Sequence, residues 1–197
     1  RMLERLAAAH LVEQPAAGRY AFHDLIRLYA AERAAEEESE EACRKARERL
    51  GDWYLANVQN AAGHLSPDWL MSPQALAPTT CEQAETFADA TAAAQWLEAE
   101  FTSLVTLVDH TAQHGPRRVA WLLAEQLRGY LWQNRRLDDW LRVARQGLHA
   151  ADADGDVWAR AAARNNLAAV HIHQGRCDAA VSLCREALAL AEEADWQ

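Results

Sequence analysis

Regularly spaced helices dominate the second half of the chain. From residue 117 onward, apolar residues recur at helical spacing in segments of about 15 residues. Short polar breaks interrupt them at 134–136, 152–156 and 174–176. Paired helices with matched turns bury their apolar faces only by stacking on further pairs. The sequence therefore predicts an all-α repeat array, and it predicts that the array continues past Gln197.

The last helix pair follows the consensus of the tetratricopeptide repeat (TPR). The residues at its consensus offsets are Leu167, Ala168, His171, Gly175, Ala180, Cys184 and Ala187. The preceding pair matches less well, with Leu127, Arg128, Leu131, Arg135, Trp140, Ala144 and Gly147 at the same offsets. The two units are 40 residues apart, from Leu127 to Leu167, because the turn at 152–156 is long. Residues 116–197 are predicted to form TPR-like repeats in a right-handed superhelix.

The first helix of each pair is predicted to line a groove that binds a protein or peptide effector, since peptides dock in such grooves through side chains of successive helical turns. In this register the groove residues are Leu122, Glu125, Gly129 and Trp132 in one pair and Asn165, Ala169 and Ile172 in the next.

The beginning of the chain carries its one β signal. A helical pattern ends near His10, and residues 11–13 and 19–22 read as strands around a turn that contains proline and glycine. Asp24 is expected to cap the helix that follows. Helix, hairpin and helix in this order are typical of the end of a winged helix. Because the first helix begins without a cap, we expect a domain boundary cut before Arg1; a true start at Met2 is the alternative.

The middle of the chain is predicted to be a helical connector. A long helix is expected over about residues 39–64, with Leu50, Trp53, Tyr54, Val58, Ala61 and Leu65 on its apolar face. Prolines at 67, 73 and 78 predict a loop over 66–88. Asp89 is expected to cap the next helix, whose apolar stripe of Trp96, Leu97, Phe101, Leu104, Val105 and Val108 ends before Gly115 and Pro116.

Composition excludes several functions. A net charge of −9 and a pI near 5.3 disfavour direct contact with nucleic acid, and no apolar run is long enough for a membrane span. Lys45 is the single lysine and follows no glycine-rich loop, so the chain holds no P-loop. Four cysteines without a CxxC pair favour a reducing, cytoplasmic location.

Catalytic and metal-binding patterns are weak. His110 and His114 lie at i,i+4, but the sequence offers no third ligand beside them. Cys177 and Cys184 are interpreted as small core residues rather than a redox pair. No nucleophile and base pattern is evident. We predict that this chain is not an enzyme and holds no metal and no cofactor of its own.

Two stretches resemble the STAND-class regulators, in particular the SARP/AfsR-like bacterial transcriptional regulators. The run RYAFHDLIRLYA at 19–30 resembles the MHD-type motif that closes their NB-ARC module, with Phe22 in place of the usual methionine. The run WLEAEFTSL at 96–104 is similar to the same family, with Ser103 where asparagine is commoner. The resemblance implies that residues 1–36 end an NB-ARC winged-helix region, that 37–115 are the connector, and that 116–197 are the TPR array.

The resemblance also implies roles for His23 and Asp24. His23 would reach a phosphate of ADP held by an upstream P-loop module of the same protein, and Asp24 would hold the helix start. The parent protein would then bind ADP or ATP and couple the nucleotide state to the TPR surface. Three alternatives stay open: an ordinary helix cap beside a surface histidine, a stand-alone TPR adaptor without nucleotide coupling, and a hydrolase or metal enzyme.

Overall fold

The computed structural model describes residues 2–16, 19–65, 71–79 and 81–193. Two compact units divide the chain, residues 1–47 and residues 48–197. Residues 17 and 18 of the predicted hairpin turn, 66–70 and 80 of the predicted loop, and 194–197 of the predicted repeats lie outside the described residues. The functional boundaries predicted at 36/37 and 115/116 stay predictions, because compactness does not assign a function to a segment.

The first unit contains the predicted hairpin. Helix α1 (Met2–Ala8) precedes strands β1 (Val12–Ala16) and β2 (Arg19–Phe22), and helix α2 (Asp24–Glu37) follows them. The strands are antiparallel, with Val12 opposite Phe22 and Glu13 opposite Ala21. This register places the residue after β2, His23, beside the start of β1.

The start of α2 differs from the prediction. His23 occupies the N-cap position with extended backbone angles (φ −59°, ψ 147°), and its side chain makes no capping hydrogen bond. Asp24 is the first helical residue, and its carboxylate accepts a hydrogen bond from Arg27 at 2.9 Å. The prediction that Asp24 is the N-cap is therefore wrong by one position. Asp24 still favours the helix, because a negative charge in the first turn opposes the positive end of the helix dipole.

The apolar face of α2 is uncovered. Leu25, Leu28 and Tyr29 keep 79%, 65% and 60% of their surface exposed. Among the described residues of this unit, Val12 alone is a buried apolar side chain. The apolar stripe that the sequence predicts is thus present, but the described residues of this unit do not bury it.

Helix α3 (Glu40–Leu65) matches the predicted long helix. Its cap is Ser39, whose hydroxyl accepts from the Ala42 amide at 3.1 Å. Leu55, Val58 and Ala61 are buried on its inner face. Leu50 was predicted to lie on that face and is 49% exposed instead, because the buried residues follow a row of helical positions that begins at Gly51.

The predicted loop contains one short helix. Helix α4 (Pro73–Leu76) is capped by Ser72, whose hydroxyl accepts from the Ala75 amide at 3.2 Å. Helix α5 (Ala90–His114) begins at the predicted cap, Asp89, which accepts from the Ala92 amide at 2.8 Å. It ends at Gly115, whose φ of 76° suits a residue without a Cβ. The predicted start and stop of this helix are confirmed.

The remaining helices form successive packed pairs. Their bounds are α6 (Arg117–Gln126), α7 (Arg128–Gln133), α8 (Leu137–Asp154), α9 (Val157–His173) and α10 (Cys177–Glu193). Helix α8 packs on α6 and α9, α6 also packs on α5 and α9, and α10 packs on α9. The predicted breaks at 134–136 and 174–176 are confirmed, whereas α8 continues through Asp154 into the break predicted at 152–156, and the helix predicted from residue 117 is divided at Leu127. The fold is predominantly helical and TPR-like with one short hairpin, whereas the winged-helix interpretation and the handedness stay predictions.

A buried polar link joins the two helix pairs. Trp140 of α8 is fully buried and donates from its indole nitrogen to the Asn166 Oδ1 atom at 2.8 Å. Asn166 of α9, itself 1% exposed, donates from Nδ2 to the Ala124 carbonyl of α6 at 2.9 Å. Every polar atom in this chain of contacts has a partner, which a buried amide and indole require. The link fixes how α6 and α8, of the first pair, pack on α9, which begins the second pair.

Candidate functional site

His23 lies at the junction of the hairpin and α2. Its Nδ1 atom is 3.1 Å from the Glu13 Oε1 atom of β1, and both side chains are about half exposed. When Nδ1–H donates to that carboxylate, Nε2 is an acceptor in the neutral ring and a donor in the imidazolium. The ring is thus held by one nitrogen and can present the other to a ligand. The Asp24 carboxylate is instead paired with Arg27 at 2.9 Å.

The predicted groove residues divide into two groups. Leu122, Glu125 and Gly129 are buried by the chain itself, so a partner cannot contact them in this structure. Trp132 and Ile172 are 41% and 59% exposed. Asn165 and Ala169 are half-buried. Burial of the first three corrects the expectation that they form an open surface, while binding of an effector at the repeats stays a prediction.

The residue that covers Glu125 is Ser72, which precedes α4. The Ser72 amide donates to Glu125 Oε1 at 2.5 Å, and the Ser72 hydroxyl donates to Oε2 at 2.7 Å. The exposed fractions of Ser72 and Glu125 are 0% and 4%. A buried carboxylate is tolerated only when its oxygens are bonded in this way.

Burial is also the main electrostatic influence on Glu125. Removal from water raises the pKa of the Glu125 carboxyl above its usual value of 4.5, while the bonds from Ser72 and the charge of Arg128 act in the opposite direction. Burial likewise lowers the pKa of Arg128, and the nearby Glu125 charge opposes that change. The carboxylate is therefore costly to ionise in the folded chain.

The free energy of unfolding should depend on pH through Glu125. Because the folded pKa lies above the unfolded value of 4.5, the stabilisation is complete below about pH 4.5 and is lost as the pH rises through the folded pKa. We expect the free energy of unfolding of the native chain, measured in urea relative to Glu125→Gln, to fall as the pH rises above about 4.5. If the free energy of unfolding of the native chain relative to Glu125→Gln stays constant or rises with pH, the raised pKa of Glu125 is wrong.

Trp132 borders an open pocket at the end of α7. The pocket has a volume of about 550 Å³ and is lined by Trp132, Gln133, Arg135, Leu137 and His173. The His173 ring lies 5.5 Å from that of Trp140 and 6.2 Å from that of Trp132, which orders it at the end of α9. Aromatic, imidazole and guanidinium groups together suit contacts with a peptide.

A second groove lies on the outer face of α10. Its volume is about 330 Å³, and it is almost entirely apolar, with Ile172, Cys177, Ala180, Val181, Cys184, Arg185 and Leu188 around it. Ala180 is the one residue of α10 that is buried. Cys177 and Cys184, predicted to be core residues, are exposed within the described part of the chain. That prediction is wrong here, because none of the helices that the structure describes covers this face.

Several buried polar residues of this region were not identified from the sequence. Ser72, Gln126 and Asn166 are buried and hydrogen-bonded, but only Ser72 carries a local signal, since serine followed by proline commonly begins a helix.

His110 and His114 pack ring to ring with centroids 4.8 Å apart. No group of three or more metal-ligating side chains occurs in the ranges that the structure describes. Among the described helices, none is both long and apolar enough to cross a bilayer.

Comparison with known proteins agrees with the helical architecture. The tetratricopeptide repeat family matches residues 160–194, the segment that includes the repeat with the better consensus. No solved structure matches the chain significantly. A TPR repeat in this position supports a protein-interaction surface in the second unit.

Two curated relatives resemble nearly the whole chain. "Regulatory protein AfsR" of Streptomyces coelicolor is 32% identical over 98% of this chain and 20% of its own length. "Regulatory protein AfsR" of Streptomyces griseus is 34% identical over 89% of this chain and 18% of its own length. The chain thus spans about a fifth of the length of the relatives it matches. These matches confirm the predicted resemblance to AfsR-like regulators, while the STAND class and the NB-ARC module stay predictions.

Proposed function

We propose that this chain, an AfsR/SARP-like regulator segment with a TPR region, couples the nucleotide state of a P-loop module in the same protein to a partner-binding surface on its repeats. The first unit would close an NB-ARC module of the STAND class, as its resemblance to the MHD-type motif implies. The second unit would bind a protein or peptide effector in the cytoplasm. The parent protein would use ADP and ATP as its ligands, while this segment binds neither alone.

The main support for the proposal is the exposed apolar face of α2 in the first unit. Leu25, Leu28 and Tyr29 lie on one face of α2 and are mostly exposed, and Phe22 before them is 48% exposed. Such a cluster in a soluble domain is a mark of an interface. An upstream module packed on this face would cover these side chains. It would also approach His23, which immediately precedes the helix.

The geometry of His23 suits a contact with phosphate. Its Nδ1 atom is engaged with Glu13 at 3.1 Å, so the donor available to a ligand is Nε2–H of the imidazolium. A hydrogen bond between an imidazolium and a phosphate oxygen is charge-assisted and therefore strong. Because ADP and ATP differ in the phosphates they present, such a bond can distinguish the two nucleotides and shift the population of two conformations.

The test is ADP affinity in a longer protein that restores the upstream module. We expect His23→Ala to weaken ADP binding by about tenfold or more, since loss of a hydrogen bond to a charged group costs on the order of 1.5–3 kcal/mol. Isothermal titration calorimetry would measure it. The 197-residue chain alone is expected to bind ADP too weakly to detect.

A matched control is His149→Ala, which removes an exposed histidine from the repeat region and should leave ADP affinity unchanged. Glu13→Gln is expected to weaken binding less than His23→Ala, because it removes the negative charge beside the ring but keeps the Nε2 donor. If His23→Ala binds ADP as tightly as the native protein, His23 is an ordinary surface residue and the chain is better described as a TPR adaptor.

A further inference from the structure

The segment at 71–79 lies against three helices of the second unit. Gln59 of α3 donates from Nε2 to the Ala75 and Ala77 carbonyls, each at 3.0 Å, and accepts from the Thr79 amide at 3.0 Å. Helix α4, which this segment contains, packs on both α6 and α9. A stretch of only nine residues therefore contacts helices that are distant from each other in the sequence.

Helix α6 binds the same segment through two adjacent polar side chains. Glu125 accepts the amide and hydroxyl of Ser72, and Gln126 Nε2 donates to the Ala75 carbonyl at 2.6 Å. Ala75 is 2% exposed. Besides the backbone of the segment, helix α6 therefore recognises a serine hydroxyl and a small residue three positions later.

The contacts are those of a bound peptide. Three side chains of the helices, Gln59, Glu125 and Gln126, bond to backbone atoms of the segment, as a receptor does when it recognises main chain and one or two specific side chains. Leu122 and Glu125 occupy positions that the repeat register assigns to a partner groove. Helices α6 and α9, which pack on each other, are the first helices of successive pairs.

We propose that residues 71–79 are an internal ligand that occupies the partner groove of the repeats, and that an effector peptide with serine and a small residue at the same spacing displaces them. This inference rests on the proposed use of the repeats as a partner surface. A tethered segment competes at a high effective concentration, in the millimolar range for a short flexible connection. A weak internal ligand is then enough to exclude peptides that bind poorly.

The test replaces residues 71–79 by nine glycine and serine residues and leaves the groove residues unchanged. The probe is a fluorescein-labelled peptide with the sequence of residues 71–79, followed by fluorescence anisotropy. We expect the peptide to bind the replaced chain at least about tenfold more tightly than the native chain, because the tethered competitor is absent. Glu125→Gln in the replaced chain should weaken binding, whereas Glu192→Gln, at an exposed position of α10, should not.

Three results would overturn the proposal: equal binding to both chains, no binding to a folded replaced chain, or failure of the replaced chain to fold. Hydrogen exchange in the unaltered chain gives a second measurement. The Ser72, Ala75 and Thr79 amides should exchange at least about tenfold faster than the buried Leu123 amide of α6, through local opening. Exchange only through global unfolding would make the segment part of the core. Neither experiment involves nucleotide, so its failure leaves the ADP test of the proposed function unaffected.

Discussion

Replacement of Trp140 by alanine is expected to lower the free energy of unfolding by about 3–5 kcal/mol, the usual cost of truncating a buried tryptophan. Trp140 is fully buried between the helix pairs. Its loss leaves a cavity and also removes the donor to Asn166, which bonds in turn to α6. Urea unfolding followed by circular dichroism would measure the change.

Two further substitutions separate the contribution of the buried volume from that of the hydrogen bond. Trp140→Phe keeps most of the volume and removes the indole donor, so we expect a smaller loss of about 1–3 kcal/mol from the unsatisfied Asn166 acceptor. Trp132→Ala removes a tryptophan that is 41% exposed, and its loss should be clearly smaller than that of Trp140→Ala. A cost for Trp140→Ala no larger than that for Trp132→Ala would contradict the proposed packing.

Gly147→Ala is expected to destabilise the chain by about 1–3 kcal/mol through overpacking. A Cβ at this position in α8 would lie 2.6 Å from the Ala124 Cβ atom and 3.8 Å from the Trp121 Cα atom. In an open helix the same substitution stabilises by up to about 1 kcal/mol. The sign of the effect therefore reports whether α6 and α8 pack as closely as the structure has them.

Gly63→Ala is the matched control for that prediction. Gly63 lies in helix α3, and nothing outside the local helix is within 4 Å of an added Cβ atom. Alanine here should raise the free energy of unfolding by about 0.5–1 kcal/mol, because glycine is the more flexible residue in the unfolded chain. If both substitutions change stability in the same direction, the close approach at Gly147 is wrong.

Helix positions and turns could be predicted because local signals determine them. Asp89 with Gly115 marks both ends of α5, and the break at 174–176 follows from the loss of apolar periodicity. The predicted start of α2 was wrong by one position, because histidine has no strong capping preference that would have identified His23 as the N-cap. Long-range contacts carry no such local signal.

The groove could be predicted only in part for the same reason. Repeat register identified Glu125 and Leu122 as groove positions, but nothing in the local sequence indicates that Ser72 covers Glu125. The contact between Ser72 and Glu125 joins residues that are 53 positions apart. Likewise, the cysteines of α10 were expected in the core because they lie at helical core spacing, yet a core requires a neighbouring helix on that face.

Coupling between nucleotide and repeats is most directly tested by hydrogen exchange in a longer protein that contains the P-loop module. The account predicts that amides of residues 71–79 and of α6 exchange at rates that differ by about fivefold or more between saturating ADP and saturating ATP, the lower end of typical allosteric coupling. Identical exchange in both nucleotide states, with both nucleotides bound, would contradict it.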